Sequence, residues 1–217
     1  MKKNILIFII SVTGVFSCKQ GSTSTGGYVD TGTVNSTRKY VYADSLGKRL
    51  IIHNSFPMGG AYTDSEGKKH PYAIFYTQVT NETTNPVELV INFPIDSLEF
   101  PVSSGSYMKF FIPSDSMTTD KESARDYGLP LQSFLDTATN RSCSLKRMIG
   151  SSRSIAFNIL MVSNKGVGGV LRTGLSLKGQ DLIYTVAAYK SIPGNPLIEQ
   201  KEINCGRISV KNLVIKE

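Results

Sequence analysis

The sequence predicts an all-β protein, an antiparallel β-sandwich of about nine or ten strands with one short helical insertion. Three observations predict it. From Arg38 onward, short alternating or wholly apolar runs rich in Val, Ile, Tyr, Phe and Thr recur along the chain. Clusters of Gly, Asn, Asp, Ser and Pro break them at regular intervals. The amphipathic helices that parallel α/β folds need as crossovers are missing.

The first strand is RKYVYA, Arg38 to Ala43, followed by the turn SLGKR and a second strand, LIIHNSF, Leu50 to Phe56. YTDSEGKKHPY, residues 62–72, reads as a loop: Asp64, Ser65 and Gly67 supply turn chemistry, and Pro71 stops any helix. YAIFYTQVTNE is the strongest strand pattern, with Ala73, Phe75, Thr77 and Val79 on one face and Tyr72, Ile74, Tyr76 and Gln78 on the other. NETTNP is a turn, and VELVINFP returns, so the two strands are expected as a hairpin-like pair at the centre of the fold.

SYMKFFIP continues the β pattern. Asp126 to Thr137, DYGLPLQSFLDT, is the one helical candidate. Leu131, Phe134 and Leu135 fall at helical spacing, and Pro130 suits a first turn. Ile155 to Val162 is a strand and KGVGGV a turn. LRTGLSLKG, DLIYTVAAYK, the turn SIPGNP, LIEQKEIN and RISVKNLVIK complete the chain. The last run breaks strict alternation, which a bulge near Asn212 would reconcile. No internal repeat is expected.

The strand, NxTxxP turn, strand pattern at residues 72–93 resembles immunoglobulin-like domains of bacterial envelope proteins. The resemblance implies an immunoglobulin-like sandwich. The antibody-type core of a disulfide against Trp is not available, since the chain has no Trp.

The N-terminus reads as an address. Lys2 and Lys3 precede an apolar run from Ile5 through Phe16, the n- and h-regions of a secretory signal. The run is shorter than the roughly 20 residues of a membrane span. Val15-Phe16-Ser17-Cys18 resembles the lipobox of bacterial lipoproteins. The resemblance implies cleavage after residue 17 and acylation of Cys18. Phe16 departs from the usual smaller residue, and an ordinary secretory signal is the alternative. Two or three acyl chains together hold a protein stably at a bilayer where one does not. The Gly-, Ser- and Thr-rich stretch from Lys19 to Thr37 then serves as a flexible tether. The expected organisation is a signal peptide (1–17), a lipidated Cys and tether (18–37) and a β-sandwich domain (38–217).

Formal charge is +7, and losing Lys2 and Lys3 leaves +5. The basic residues are scattered singly or in pairs, without the block that marks a nucleic-acid arm. No nucleic-acid partner is therefore expected. Beyond Cys18 the cysteines are Cys143 and Cys205. Two thiols in an oxidising compartment are expected to form one disulfide; two separate thiols, or a reactive Cys143 beside its basic neighbours, are the alternatives.

Catalytic patterns are sparse. The histidines are His53 and His70, with no HxH, HExxH or CxxC spacing, so no metal and no cofactor are expected. His70, beside Pro71, is expected to be solvated. GxSxG is missing, and KGVGGV lacks the context of a phosphate loop. Asp64 and Glu66 are read as solvated turn residues.

Four triplets read Asp, then Ser or Thr, then an apolar residue, placing Ser45, Ser97, Ser116 and Thr137 at the second position. They resemble the O-glycosylation sequon of envelope proteins in one Gram-negative group. Ordinary Asp-Ser and Asp-Thr turn pairs are the equal alternative. Asn81-Glu82-Thr83 also fits the eukaryotic N-glycan sequon, which the lipobox resemblance argues against.

The expected function is that of a lipid-anchored, non-enzymatic binding or structural module. Its setting is the bacterial cell envelope, on the outer membrane and facing the periplasm. The acidic run after Cys18 that accompanies surface export in that group is missing, though surface exposure stays open. A protein or polysaccharide partner is expected, with residues 100–126, including Tyr107, Phe110, Phe111 and Met117, as the place to look for a contact surface. A hydrolase or a carbohydrate-binding module acting on envelope polysaccharide is the alternative.

Overall fold

The computed structural model describes residues 28–29, 38–44, 46–94, 97–99, 105–113, 118–137, 143–166, 169–194 and 196–209. The signal segment 1–17, Cys18, Ser45, Ser116, Met117 and the bulge expected near Asn212 lie outside them.

Among the described residues the protein is all-β: two curled antiparallel sheets and one short helix. The first sheet runs in the order β1 (Tyr28–Val29), β2 (Arg38–Ala43), β3 (Arg49–Asn54), β5 (Lys69–Asn81), β10 (Arg153–Ser163), β8 (Tyr107–Phe111), β7 (Ser97–Glu99). β4 (Met58–Thr63) also pairs with β5, beside the end of β3. The second sheet runs β11 (Val170–Lys178), β12 (Asp181–Tyr189), β13 (Leu197–Ser209), β6 (Val87–Asn92), β9 (Ser144–Ile149). Tyr28 and Val29, inside the segment expected to be coil, extend the first sheet by pairing with Tyr40 and Lys39.

The sheets share one core. Leu50, Ile52, Phe75, Phe110, Phe157 and Ile159 of the first sheet meet Leu89, Ile91, Leu175, Tyr184 and Ile208 of the second. Phe93 stacks on Phe110 at 4.8 Å between ring centres, and Tyr184 stands edge-on to both. Such contacts are favoured beyond the area they bury.

The expected hairpin between residues 72–82 and 87–94 does not form. β5 pairs with β3, β4 and β10, whereas β6 pairs with β9 and β13, so NETTNP carries the chain from one sheet to the other. Asn81 makes this corner. Its Nδ2 donates to the carbonyls of Asn85, Ile149 and Gly150, and its Oδ1 accepts from the N–H and hydroxyl of Thr83. Alternation predicts two strands equally well whether they pair or face each other. Asn81 is fully buried, which closes it to N-glycosylation in the folded chain.

The loop expected over residues 62–72 is mostly strand: only residues 64–68 turn. They repeat the loop at 44–48, and both read Asp-Ser-x-Gly-Lys, a local repeat that the strand pattern does not bring out. In each, the Asp carboxylate accepts backbone N–H groups two and four residues on, and the Gly takes a positive φ, +75° at Gly47 and +81° at Gly67. This is a three-residue hairpin loop ending in a glycine bulge. Pro71 is tolerated because the β10 ladder ends at Tyr72, one residue away.

A bulge that the sequence analysis did not single out interrupts β13 at Cys205. Leu182 pairs with Gly206 but Ile183 with Asn204, so Cys205 is the extra residue. It lets Ile203, Cys205 and Ile208 all turn inward.

The expected disulfide is corrected. No bond joins Cys143 to Cys205. Cys143 stands at the start of β9 and Cys205 on β13, with β6 between them. Two strand spacings separate partners by about 10 Å, beyond the roughly 7 Å a disulfide can bridge. Each thiol hydrogen-bonds a carbonyl instead: Cys143 that of Phe110 at 2.6 Å, Cys205 that of Leu182 at 3.4 Å.

Candidate functional site

The first sheet is covered on part of its outer face as well. Ile74, Tyr76, Phe111 and Leu160 form a second core with Tyr127, Leu129, Phe134 and Leu135. The last four belong to a strap, residues 118–137, that ends in α1 (Leu131–Asp136). The helix expected over residues 126–137 is thus a short one starting after Pro130. Asp126, Tyr127 and Gly128 take positive φ of 51°, 52° and 68°, a left-handed turn costly for residues with a side chain.

Three tyrosines fasten the strap. Tyr72 donates to Asp126 at 2.8 Å, and Tyr62 to Asp136 at 2.7 Å. Tyr127 donates to Ser55 Oγ and to the Phe56 carbonyl. Ser55 Oγ in turn accepts the Tyr76 N–H, standing in for a backbone carbonyl where β3 breaks before β4. Gly60 is required opposite Tyr72, since a Cβ there would lie 2.8 Å from the Tyr72 hydroxyl. β4 therefore has a glycine-rich sequence that does not read as a strand.

Beyond the strap, the described residues leave part of the same face uncovered. A groove of about 360 Å³ lies there, within the size range of small-molecule sites. Its floor crosses successive strands: Tyr62 on β4, His70 on β5, Val162 on β10, Tyr107, Lys109 and Phe111 on β8, and Ser97 on β7. Leu135 of α1 walls one side.

One end of the groove is internally bonded. His70 Nε2 lies 2.7 Å from Asp64 Oδ2, and its ring is 6.2 Å from that of Tyr62. The bond to His70, then those from the Lys68 and Glu66 N–H groups, hold the Asp64 carboxyl below its ordinary pKa. The bond to Asp136 pushes Tyr62 up to about 12. His70 is therefore no solvated loop residue. It sits in a strand with its side chain 19% exposed, and Asp64 is its partner.

The other end is uncommitted. The Lys109 ammonium stands 5.4 Å from the centre of the Phe111 ring and has no acidic partner among the described residues. Tyr107 is 46% exposed. Its backbone is clamped by Asn164, which accepts the Tyr107 N–H at 2.8 Å and donates to the Gly105 carbonyl at 3.0 Å. Of the contact surface expected over residues 100–126, Tyr107 is presented outward, while Phe110 and Phe111 are buried.

A second cavity, of about 330 Å³, lies between the sheets and is mainly apolar, with Met108, Met161, Val170 and Leu171 in its lining. His53 is remote from the groove on β3, its pKa lowered by burial. Ser97 lines the groove and is exposed. Thr137 is exposed at the end of α1, where its hydroxyl donates to the Ser133 and Phe134 carbonyls. The Asp44 and Asp64 carboxylates each organise a hairpin loop. No cluster of three or more metal-ligating side chains occurs among the described residues, and no helix among them is long and apolar enough to cross a membrane.

No protein-family model, curated protein or solved structure matches the chain. The chemistry of the groove thus rests on its own residues. Tyr62 and Lys109 carry no sequence motif; only their strand register brings them to one face.

Proposed function

We infer that this chain is a lipid-anchored lipoprotein of a bacterial cell envelope and acts as a non-enzymatic binding module. The observation that carries the reading is Cys18 at the end of the Ile5–Phe16 apolar run, in the lipobox-like Val15-Phe16-Ser17-Cys18, ahead of a Gly/Ser/Thr tether. Acyl chains on Cys18 hold the domain at the outer membrane, on its periplasmic side. The two curled sheets act as an immunoglobulin-like sandwich, and the open groove on the outer face of the first sheet is the recognition surface. Its floor is built on strands rather than loops, which holds a binding constellation rigid. The partner is a protein or polysaccharide of the envelope.

Membrane fractionation of the host tests the reading. The wild-type chain partitions with the outer membrane and takes up labelled palmitate, whereas Cys18→Ser releases it to the soluble fraction. Equal membrane retention of both would end the reading.

The Asp64–His70 pair favours a second reading, a hydrolase of envelope polysaccharide, because a carboxylate orients an imidazole for base catalysis. His70 is bonded to no hydroxyl among the described residues, which ranks this reading second. Polymer cleavage abolished by His70→Gln would promote it.

A further inference from the structure

Resting on the binding-module reading, we propose that the outer-face groove binds an acidic saccharide, a sugar ring bearing a carboxylate, with Lys109 as the carboxylate anchor and Tyr107 as the stacking platform.

The polar groups of the groove divide into two sets. Asp64, His70, Tyr62 and Asn164 are spent on one another or on the protein: Asp64 on His70 and two backbone N–H groups, Tyr62 on Asp136, Asn164 on the Gly105–Tyr107 turn. They shape the site. The Lys109 ammonium, the Ser97 hydroxyl and the Tyr107 hydroxyl have no hydrogen-bond partner among the described residues. Ser97 and Lys109 are register partners across β7 and β8, and Tyr107 is two residues from Lys109 on the same face. The uncommitted wall is therefore a row of donors carrying one positive charge.

A ligand for this wall must bring acceptors and a negative charge. A ligand for the floor must also bring a flat apolar face, because Tyr62, Tyr107 and Phe111 line it. A sugar ring has both: axial C–H groups on one face for an aromatic ring, and hydroxyls at its edge. A carboxylate on the ring completes the match with Lys109, whose charge is held over Phe111 and has no acidic partner among the described residues. The volume of about 360 Å³ suits one or two sugar residues.

The test titrates the full chain, solubilised in detergent, with tetragalacturonate, and with maltotetraose as the neutral control. It then probes an array of uronate and other acidic oligosaccharides. The expected result is binding of acidic sugars at least tenfold tighter than of maltotetraose. Lys109→Met should abolish that preference, and Tyr107→Ala should weaken both classes at least tenfold. Neither side chain is buried, so both variants keep the wild-type unfolding midpoint. Binding of no acidic sugar, or equal binding by Lys109→Met, overturns the proposal. Capture of an envelope partner by the Lys109→Met, Tyr107→Ala double variant at wild-type level would also overturn it, while leaving the binding-module reading standing. Loss of membrane anchoring in the fractionation would instead strike that reading alone.

Discussion

Asn54 pairs with both backbone groups of Leu175, as a strand would. The Leu175 N–H donates to Asn54 Oδ1 at 2.9 Å, and Asn54 Nδ2 donates to the Leu175 carbonyl at 3.0 Å. Asn54 is on β3 of one sheet and Leu175 on β11 at the edge of the other. Next along that edge, the Leu177 N–H donates to the Tyr42 hydroxyl at 2.7 Å. Side chains of the first sheet thus close an edge that would otherwise present open ladder groups. Thr77 also donates to Asn54 Oδ1.

Asn54→Ala should therefore be severe for a residue of its size. It strands a buried N–H and a buried carbonyl, and the expected loss is about 3 kcal/mol. Urea unfolding monitored by circular dichroism measures it. A loss below about 1 kcal/mol would mean that the seam is not a structural joint.

Two tyrosines whose rings lie 5.7 Å apart, Tyr76 of the sheet and Tyr127 of the strap, should respond oppositely to losing their hydroxyls. The Tyr76 hydroxyl is buried with no hydrogen-bond partner among the described residues. Tyr76→Phe removes that liability and should stabilise by about 1 kcal/mol. The neighbouring Tyr127 hydroxyl bonds Ser55 and Phe56. Tyr127→Phe should cost about 1 to 2 kcal/mol and speed proteolysis of the strap at residues 118–137. Paired unfolding curves check the contrast, and equal signs for both variants would refute it.

Alkali should unfold the protein cooperatively. Burial pushes Tyr42 and Tyr76 up to about 12; burial, then a bond to Asp126, does the same for Tyr72. A phenol whose folded pKa is raised holds its proton more tightly in the fold. The stability it contributes is complete below the unfolded value of about 10 and is lost as pH rises through about 12. Phenolate absorbance and loss of circular dichroism should appear together in that window. Full ionisation with the fold intact would contradict the burial.

Reductant should leave stability unchanged, because no disulfide joins Cys143 to Cys205. Burial also pushes the Cys205 thiol up to about 12, so it should resist alkylation until unfolding. Alkylation in denaturant without reductant, read by peptide mass, should label both residues. Peptides cross-linked through Cys143 and Cys205 would overturn the account.

Strand identity was legible where both faces are buried. β5 and β10 read clearly because Phe75 and Ile159 face one core while Tyr76 and Leu160 face the other. β9 was hidden because it is an edge: of its residues only Leu145 and Ile149 are buried, with Lys146, Arg147 and Met148 exposed between them. β4 was hidden by Gly59 and Gly60, of which Gly60 makes room for Tyr72. Partner choice was not legible at all. Asn81 decides that the chain crosses between sheets, and its five bonds reach residues up to 69 positions away. For the same reason the groove escaped the sequence, although Tyr107 fell within the stretch singled out for contact. Register alone brings Tyr62, His70 and Lys109 to one face.

Intact mass spectrometry of the protein extracted from the membranes of its native host tests the central claim most directly. The account predicts a chain beginning at Cys18 and heavier than its sequence by two or three fatty acyl groups. A chain with an unmodified Cys18, or one cut at another position, would contradict it.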